Sequence, residues 1–517
     1  LKETLIDIET YSEVDIGKCG LYRYATDPSF EILLVAWATD EGNGFGETRC
    51  ADLASGEPLP KELLEDFQSG NVRLIAHNAS FERVCFSVHL QRHLPGQYLK
   101  PGEFLSPDSW ICTMVMAASL TLPMALKDVG TVLKTRLIKL FSMPCKPTKS
   151  NGMRTRNLPE HYPADWEKFK YYCIQDVNTE VDIYKRLKKF PMPEQEWKHY
   201  RVNERINDRG VKIDTELVQQ AIACDLMLSD AMSKKAYELT GLENPNSVSQ
   251  LKSWLDERGI PMDTLGKKDV AQMIEELDKN GVDAEAMDML KLRLQMAKSS
   301  VKKYQAAERC VCSDGRARGL FQFYGASRTG RYSGRNIQLQ NLPQNHISTL
   351  DEARELVKLG CFDMVETIYG NTPDVLSQLI RTMLIPKEGC EFIVADFSAI
   401  EARVLAWEAG EDWRLEAFLE GKDIYCASAS QMFHVPVVKH GINGELRQKG
   451  KVAELACGYG GSSGALISMG ALQMGLKEEE LPEIIDSWRE ANPKIVQYWW
   501  DVEKAATQAF KTGKRQE

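Results

Sequence analysis

The chain has 517 residues, 43% hydrophobic and 27% charged, with a formal net charge of -10. That length implies roughly three or four domains of about 150 residues each, the composition is that of a soluble globular protein, and the acidic balance argues against a uniformly basic coat. No apolar run approaches the ~20 residues of a membrane span and no basic-then-apolar signal opens the chain, which points to the cytoplasm.

Thirteen cysteines are scattered, with Cys310 and Cys312 as the one Cys-x-Cys pair; without a paired Cys-x-x-Cys they read as reduced thiols rather than zinc ligands. Charge is segregated along the sequence. Residues 291 to 335 carry eleven Lys/Arg against Glu308 and Asp314, and residues 127 to 156 carry eight against Asp128. Two such basic runs on an acidic protein tilt the reading toward a polyanionic partner.

In chain order, Leu5-Ile-Asp7-Ile-Glu9-Thr10 alternates with period two, so Asp7 and Glu9 project from one side of a predicted strand. Leu33 to Ala38 and Val72 to Ala76 read as further strands, the second leading through His77-Asn78 to a helix that carries Glu82. Pro163 opens a long helical pattern in which Tyr172 and Asp176 share a face at i, i+4. Four acids from strand-associated motifs and a helix can converge on two metal ions, and such a pair can cleave a phosphodiester with an activated water. Each acid alone also fits an ordinary exposed carboxylate, and Asn78 also fits a plain turn residue.

Residues 1 to 190 resemble the DnaQ-like 3′ to 5′ proofreading exonuclease domains that carry a tyrosine in their last motif. The resemblance implies a ribonuclease H-like fold, metal ligation by Asp7, Glu9, Glu82 and Asp176, and orientation of the attacking water by Tyr172. It implies for Asn78 a role in positioning the second motif or the DNA end. Glu82 stands where the group usually has Asp, and its extra methylene moves a ligand oxygen by about an ångström. Asp108 is a spare carboxylate.

Phe190-Pro-Met-Pro193 reads as a rigid break. Residues 215 to 308 are mainly helical in pattern, and Asn246 to Leu255 is a capped helix. Phe321 to Arg335 then alternates Gly, Ser and Arg, offering amides and guanidinium forks to phosphates, while the Asn and Gln of Gln338 to Pro343 can read groove edges. A Gly-rich hairpin with surface arginines is the alternative reading.

Phe392 to Ala395 reads as a buried strand that presents Asp396 at a strand-to-helix corner, with a helix through Trp407. Asp396 there fits a helix cap as well as a ligand for a hard cation such as Mg²⁺. Arg447-x-x-x-Lys451-x-x-x-Leu455-x-x-x-Tyr459 places four residues along one helical face, which fits a basic-edged surface helix or a triphosphate cradle with a stacking ring.

Together with Glu204 to Asp214, these stretches resemble family A (Pol I-like) DNA polymerases, in their bacteriophage or prophage form. The resemblance implies an α/β and α+β multidomain chain in which an exonuclease domain (1 to 190) precedes a right-hand polymerase. Its parts would be an entry segment and thumb (191 to 320), the first part of the palm (321 to 425) and the fingers (426 to 517). It implies Asp396 as catalytic metal anchor and Glu401 as the steric gate against ribonucleotides. Arg447, Lys451, Leu455 and Tyr459 would contact the dNTP, and Arg328, Arg331 and Asn341 the primer-template DNA. Two Mg²⁺ ions per site are expected, with Mn²⁺ as an alternative.

Leu455, Ala399 and Tyr425 depart from the residues frequent in that family. No His-Asp dipeptide follows Tyr459 to supply the second palm acid, so the chain is expected to be a fragment that does not polymerise as it stands. Two alternatives stay open: an exonuclease whose polymerase half only binds DNA, and a non-catalytic DNA-binding replisome scaffold.

Overall fold

In the computed structural model, which describes residues 1–132, 148–280, 283–296, 301–326, 329–474 and 476–516, the N-terminal alternation becomes β1 (Lys2–Tyr11). It is joined by β2 (Glu31–Asp40), β3 (Arg49–Asp52), β4 (Val72–Ala76) and β5 (Trp110–Cys112) in one sheet of order β3-β2-β1-β4-β5. β1 runs antiparallel to β2, with Asp7 opposite Ala36 and Glu9 opposite Leu34, and parallel to β4, with Leu5 opposite Ile75. Ile32 to Ala38 are buried without interruption, as a strand covered on both faces requires. One cover is the helix Pro163–Leu187, whose Phe169, Cys173, Val177 and Val181 share a core with Leu5, Val35 and Leu74.

The same core continues past the Phe190–Pro193 break through Met192, Trp197 and Tyr200. A buried ion pair reinforces it: Arg83, on the helix Ala79–His93, donates to Glu204 at 3.0 Å and to Asp208 at 2.9 Å on the helix Glu194–Arg209. Further along are β6 (Val211–Ile213), β7 (Arg316–Ala317), the hairpin β8 (Phe321–Ala326) and β9 (Arg331–Gly334), and β10 (Leu384–Ile385). β6 pairs antiparallel with β10 and with β7. The helix Thr215–Thr240 contributes Leu217 to one helical core with Tyr304 and Leu376 and Ala236 to a second with Trp254 and Leu290.

The chain divides into two compact units, Leu1–Glu391 and Phe392–Glu517. The division falls inside the stretch expected as palm. Among the described residues the second unit holds helices and no strand; its core gathers Val452, Leu481, Trp488 and Ile495.

The expected buried strand at 392 to 395 is absent. Ile393 is 91% and Val394 89% exposed, and Phe397 is 79% exposed. A strand needs a neighbour to satisfy its amides and carbonyls, and among the described residues none pairs with this run. The helix that follows, Ile400–Ala409, is capped by Ala399 in the left-handed region at φ 50°, so Asp396 is not its cap. Among the described residues no helix is long and apolar enough to cross a membrane, and the twelve described cysteines are free thiols.

Candidate active sites

The first site lies in the unit Leu1–Glu391. Ligand oxygens of Asp7, Glu9 and Asp176 all lie within 4.8 Å of one another. β1 supplies the first two, from the same side of the strand, and the helix Pro163–Leu187 supplies the third. One turn before Asp176, Tyr172 hydrogen-bonds it, and burial followed by that bond pushes the phenol above its ordinary pKa. Asp7 is likewise raised well above the ordinary carboxylate range, first by burial and then by the charges of Glu180, Glu9, Asp176 and Glu82.

Glu82 is not part of the close trio. It is 3% exposed on the helix Ala79–His93, its Oε2 has no hydrogen-bond partner, and burial raises its carboxyl well above the usual range. A fifth acid missed by the motif reading, Glu180, is 1% exposed and also has an unpartnered Oε2. Its position one turn beyond Asp176 was readable from the spacing Tyr172, Asp176, Glu180. Asp108 is engaged elsewhere, accepting from Arg205 at 2.5 Å and from Ser106 at 2.7 Å. Three carboxylates this close fit a divalent cation, which offsets their mutual repulsion.

Asn78 sits at the corner between β4 and the helix Ala79–His93, with φ 75°, a conformation Asn tolerates better than most residues. With Gln322, Phe323 and Arg335 it lines a cavity of about 510 Å³. Arg331 opens β9 on the surface, and Asn341 is exposed in a short turn where its amide donates to Gln338 at 3.4 Å. Arg328 lies outside the described residues, as does half of the basic run at 127 to 156. Three residues of the other basic run are committed to the fold: Arg316 and Arg318 donate to the carbonyls of Arg209 and Asp208, and Lys303 to that of Ile337.

The second site lies in the unit Phe392–Glu517. Glu401, Leu455 and Tyr459 line one cavity of about 510 Å³ together with Tyr425, Arg414 and Glu454. Arg447 and Lys451 are not among its lining residues. Arg447 donates to Asp423 at 2.8 and 3.0 Å and lies over the Tyr425 ring at 5.1 Å; Asp423 in turn caps the helix Ile424–Phe433. Within the cavity wall, buried Arg414 makes a two-pronged ion pair with Glu454 and bonds Asn492 at 3.0 Å, and Trp488 donates to Glu454 at 2.9 Å. Asp396 is exposed and is not part of any group of three metal-ligating side chains among the described residues. This unit's described residues do not by themselves build a cation cage.

Residues 220–514 match the sequence profile of DNA polymerase family A. The chain is also 52% identical over 523 residues to the DNA polymerase of Bacillus phage SP02, covering 99% of this chain and 78% of that protein. The chain belongs to DNA polymerase family A. Its likeness to bacterial family A enzymes is more partial: 27% identity to the DNA polymerase I of Geobacillus stearothermophilus over 58% of this chain and 31% of that one. The fold also resembles the POL domain of Pol1 from M. smegmatis, solved in complex with DNA primer-template and dNTP, at a TM-score of 0.62 and 18% identity over 99% of this chain and 76% of that chain. Within this family A chain, the motifs did not reveal Glu180 or the Arg414–Glu454 ion pair, which are enclosed only through tertiary packing.

Proposed function

We propose that the complete protein synthesises DNA from dNTPs on a primer-template and proofreads its product by 3′ to 5′ hydrolysis, in the host cytoplasm if it is phage-encoded. The observation that carries the proofreading half is the trio Asp7, Glu9 and Asp176 with Tyr172 bonded to Asp176, on a sheet whose order fits the ribonuclease H-like expectation. These acids would hold the divalent ions, Mg²⁺ or Mn²⁺, whose chemistry when bound is to lower the pKa of a water and neutralise the leaving oxygen. Tyr172 positions that water, and Asn78 faces the DNA end.

For synthesis, family membership and the cavity shared by Glu401, Leu455 and Tyr459 support a nucleotide site. Glu401 crowds the sugar 2′ position, Tyr459 stacks near the templating base, and Arg447 and Lys451 hold phosphates from the helix Leu446–Cys457. Arg331 and Asn341 grip the duplex, and Asp396 is the metal anchor.

Mutations separate the two halves. Asp396→Ala should abolish Mg²⁺-dependent primer extension and leave 3′ to 5′ degradation intact, whereas Asp7→Ala should do the reverse. Extension that survives in Asp396→Ala would refute the assignment. A second reading, an exonuclease whose polymerase half only binds DNA, is favoured by the contrast between the assembled trio and the solitary Asp396. It is chosen if neither the parent nor Asp7→Ala extends a primer while the parent degrades one.

A further inference from the structure

Arg447 stands near the start of the helix Leu446–Cys457, on the face that also carries Lys451 and Leu455. Its guanidinium is already engaged within the second unit. Nε and Nη2 both donate to a single oxygen of Asp423, Oδ2, at 3.0 and 2.8 Å. The group lies 5.1 Å from the centre of the Tyr425 ring, and the Cys426 thiol hydrogen-bonds it. Both bonds to Asp423 leave from one edge of the planar fork, so Nη1 takes part in neither.

Asp423 is itself held in place. Its other oxygen, Oδ1, accepts from the backbone amides of Tyr425 and Cys426 at 3.0 and 3.2 Å and so caps the helix Ile424–Phe433. A cap needs one side-chain oxygen and no charge, and Asn or Ser supplies it as well. The second oxygen and the charge are used by Arg447. Tyr425 lines the cavity that holds Glu401, Leu455 and Tyr459, whereas Arg447 does not line it. Arg447 thus meets the cavity only at its rim, on the face of a lining ring.

A long side chain gives up rotamer freedom when it binds a phosphate, and one already fixed by a carboxylate and a ring has given it up beforehand. Asp423 and Arg447 are both partly exposed. Water therefore screens the carboxylate, and its repulsion of a phosphate on the far edge is weaker than the bonds a guanidinium fork makes to that phosphate.

We infer that Asp423 is a positioning residue for the phosphates of the incoming nucleotide: against the Tyr425 ring it holds Arg447 by one edge and presents the other edge to a phosphate at the rim of the cavity. This rests on the synthesis reading of the second unit. Asp423 does not touch the nucleotide and acts through Arg447. Lysine cannot replace that arginine, because an ammonium is a point charge without a second edge.

Single-turnover incorporation of dATP by the complete protein, on a primer-template with a templating thymine, separates the Kd from the maximal rate. Asp423→Asn keeps a capping oxygen and loses the charge. It should raise the dATP Kd about threefold or more, the cost of ordering a free arginine, and change the maximal rate by less than about twofold. Arg447→Lys should raise the Kd at least as much. With Arg447→Ala already in place, Asp423→Asn should add less than about threefold, because the two residues act as one unit. A role in capping alone would leave the effect of Asp423→Asn undiminished there.

A Kd for Asp423→Asn less than about threefold above the parent overturns the inference, and a tighter Kd does so by making Asp423 a competitor of the phosphate. An undiminished effect in Arg447→Ala overturns it too. If the Asn variant does not fold, Asp423→Ser, another capping residue, is read against the same limits. A parent-like Kd in Arg447→Ala removes Arg447 from the nucleotide site, and a parent protein that extends no primer removes the synthesis reading; either result takes the inference with it. A weakened Arg447→Ala beside a parent-like Asp423→Asn rejects the role of Asp423 alone.

Discussion

His77, just past the end of β4, shows how a single side chain is tuned by its surroundings. Its Nε2 donates to the Met124 carbonyl at 2.8 Å, which leaves Nδ1 to accept from the Thr113 hydroxyl at 2.9 Å. Burial lowers its pKa from 6.5 to about 4. The native ring binds a proton less readily than the unfolded one, so its contribution is complete above pH 6.5 and is lost as pH falls toward about 4, a change of ~3 kcal/mol. The raised carboxyls of Asp7, Glu82 and Glu180 act in the opposite sense in metal-free protein: native stability from them declines as pH rises above the ordinary carboxylate range. The difference between parent and His77→Gln isolates the histidine, and its unfolding free energy in EDTA should lose the slope between pH 6.5 and 4. At the other site, Glu401→Ala in the complete protein should raise ribonucleotide incorporation relative to deoxynucleotide by roughly 10- to 100-fold, measured by single-nucleotide primer extension, because one crowding contact discriminates by about 1–3 kcal/mol.

The helix Leu446–Cys457 depends on contacts that are not visible in its own sequence. Gly450 lets it approach the helix Ile424–Phe433 so closely that a Cβ at this position would collide with the Tyr425 carbonyl. One turn further along, Glu454 meets Arg414, which is wholly buried and also bonds Asn492. That pair joins the helices Asp412–Leu419, Leu446–Cys457 and Leu481–Ala491 through Trp488. Replacing Glu454 by Gln leaves the Arg414 guanidinium buried without its counter-charge, which costs about 3–5 kcal/mol. Chemical unfolding followed by tryptophan fluorescence should show that loss, and a change below about 1 kcal/mol would show that the network is dispensable.

At the scale of the molecule, the run Phe392 to Phe397 stands out, because it is apolar, exposed and outside any element. Limited chymotrypsin treatment of the 517-residue chain should cut first after Phe392 or Phe397, with fragment ends identified by mass spectrometry; a first cut inside the helix Pro163–Leu187 would contradict the exposure. This run is also where local pattern and tertiary structure part. Period-two alternation at Leu5 to Thr10, the capped helix at Ser247 and the long helix opened by Pro163 were legible because alternation, capping and helical periodicity are carried by neighbouring residues. That Asp7, Glu9 and Asp176 come together was legible too, since a strand and a helix present them at fixed periods. Phe392 to Ala395 has the same local strand pattern, yet pairing depends on a neighbour that four residues cannot specify. Glu82 and Glu180 divide in the same way: their spacing is written in the chain, but their enclosure and their unpartnered oxygens arise only when two helices pack against one sheet. Residue order is enough to set periodicity, capping and the identity of the acids, whereas desolvation and pairing are properties of what surrounds a group, and those surroundings exist only in the folded protein.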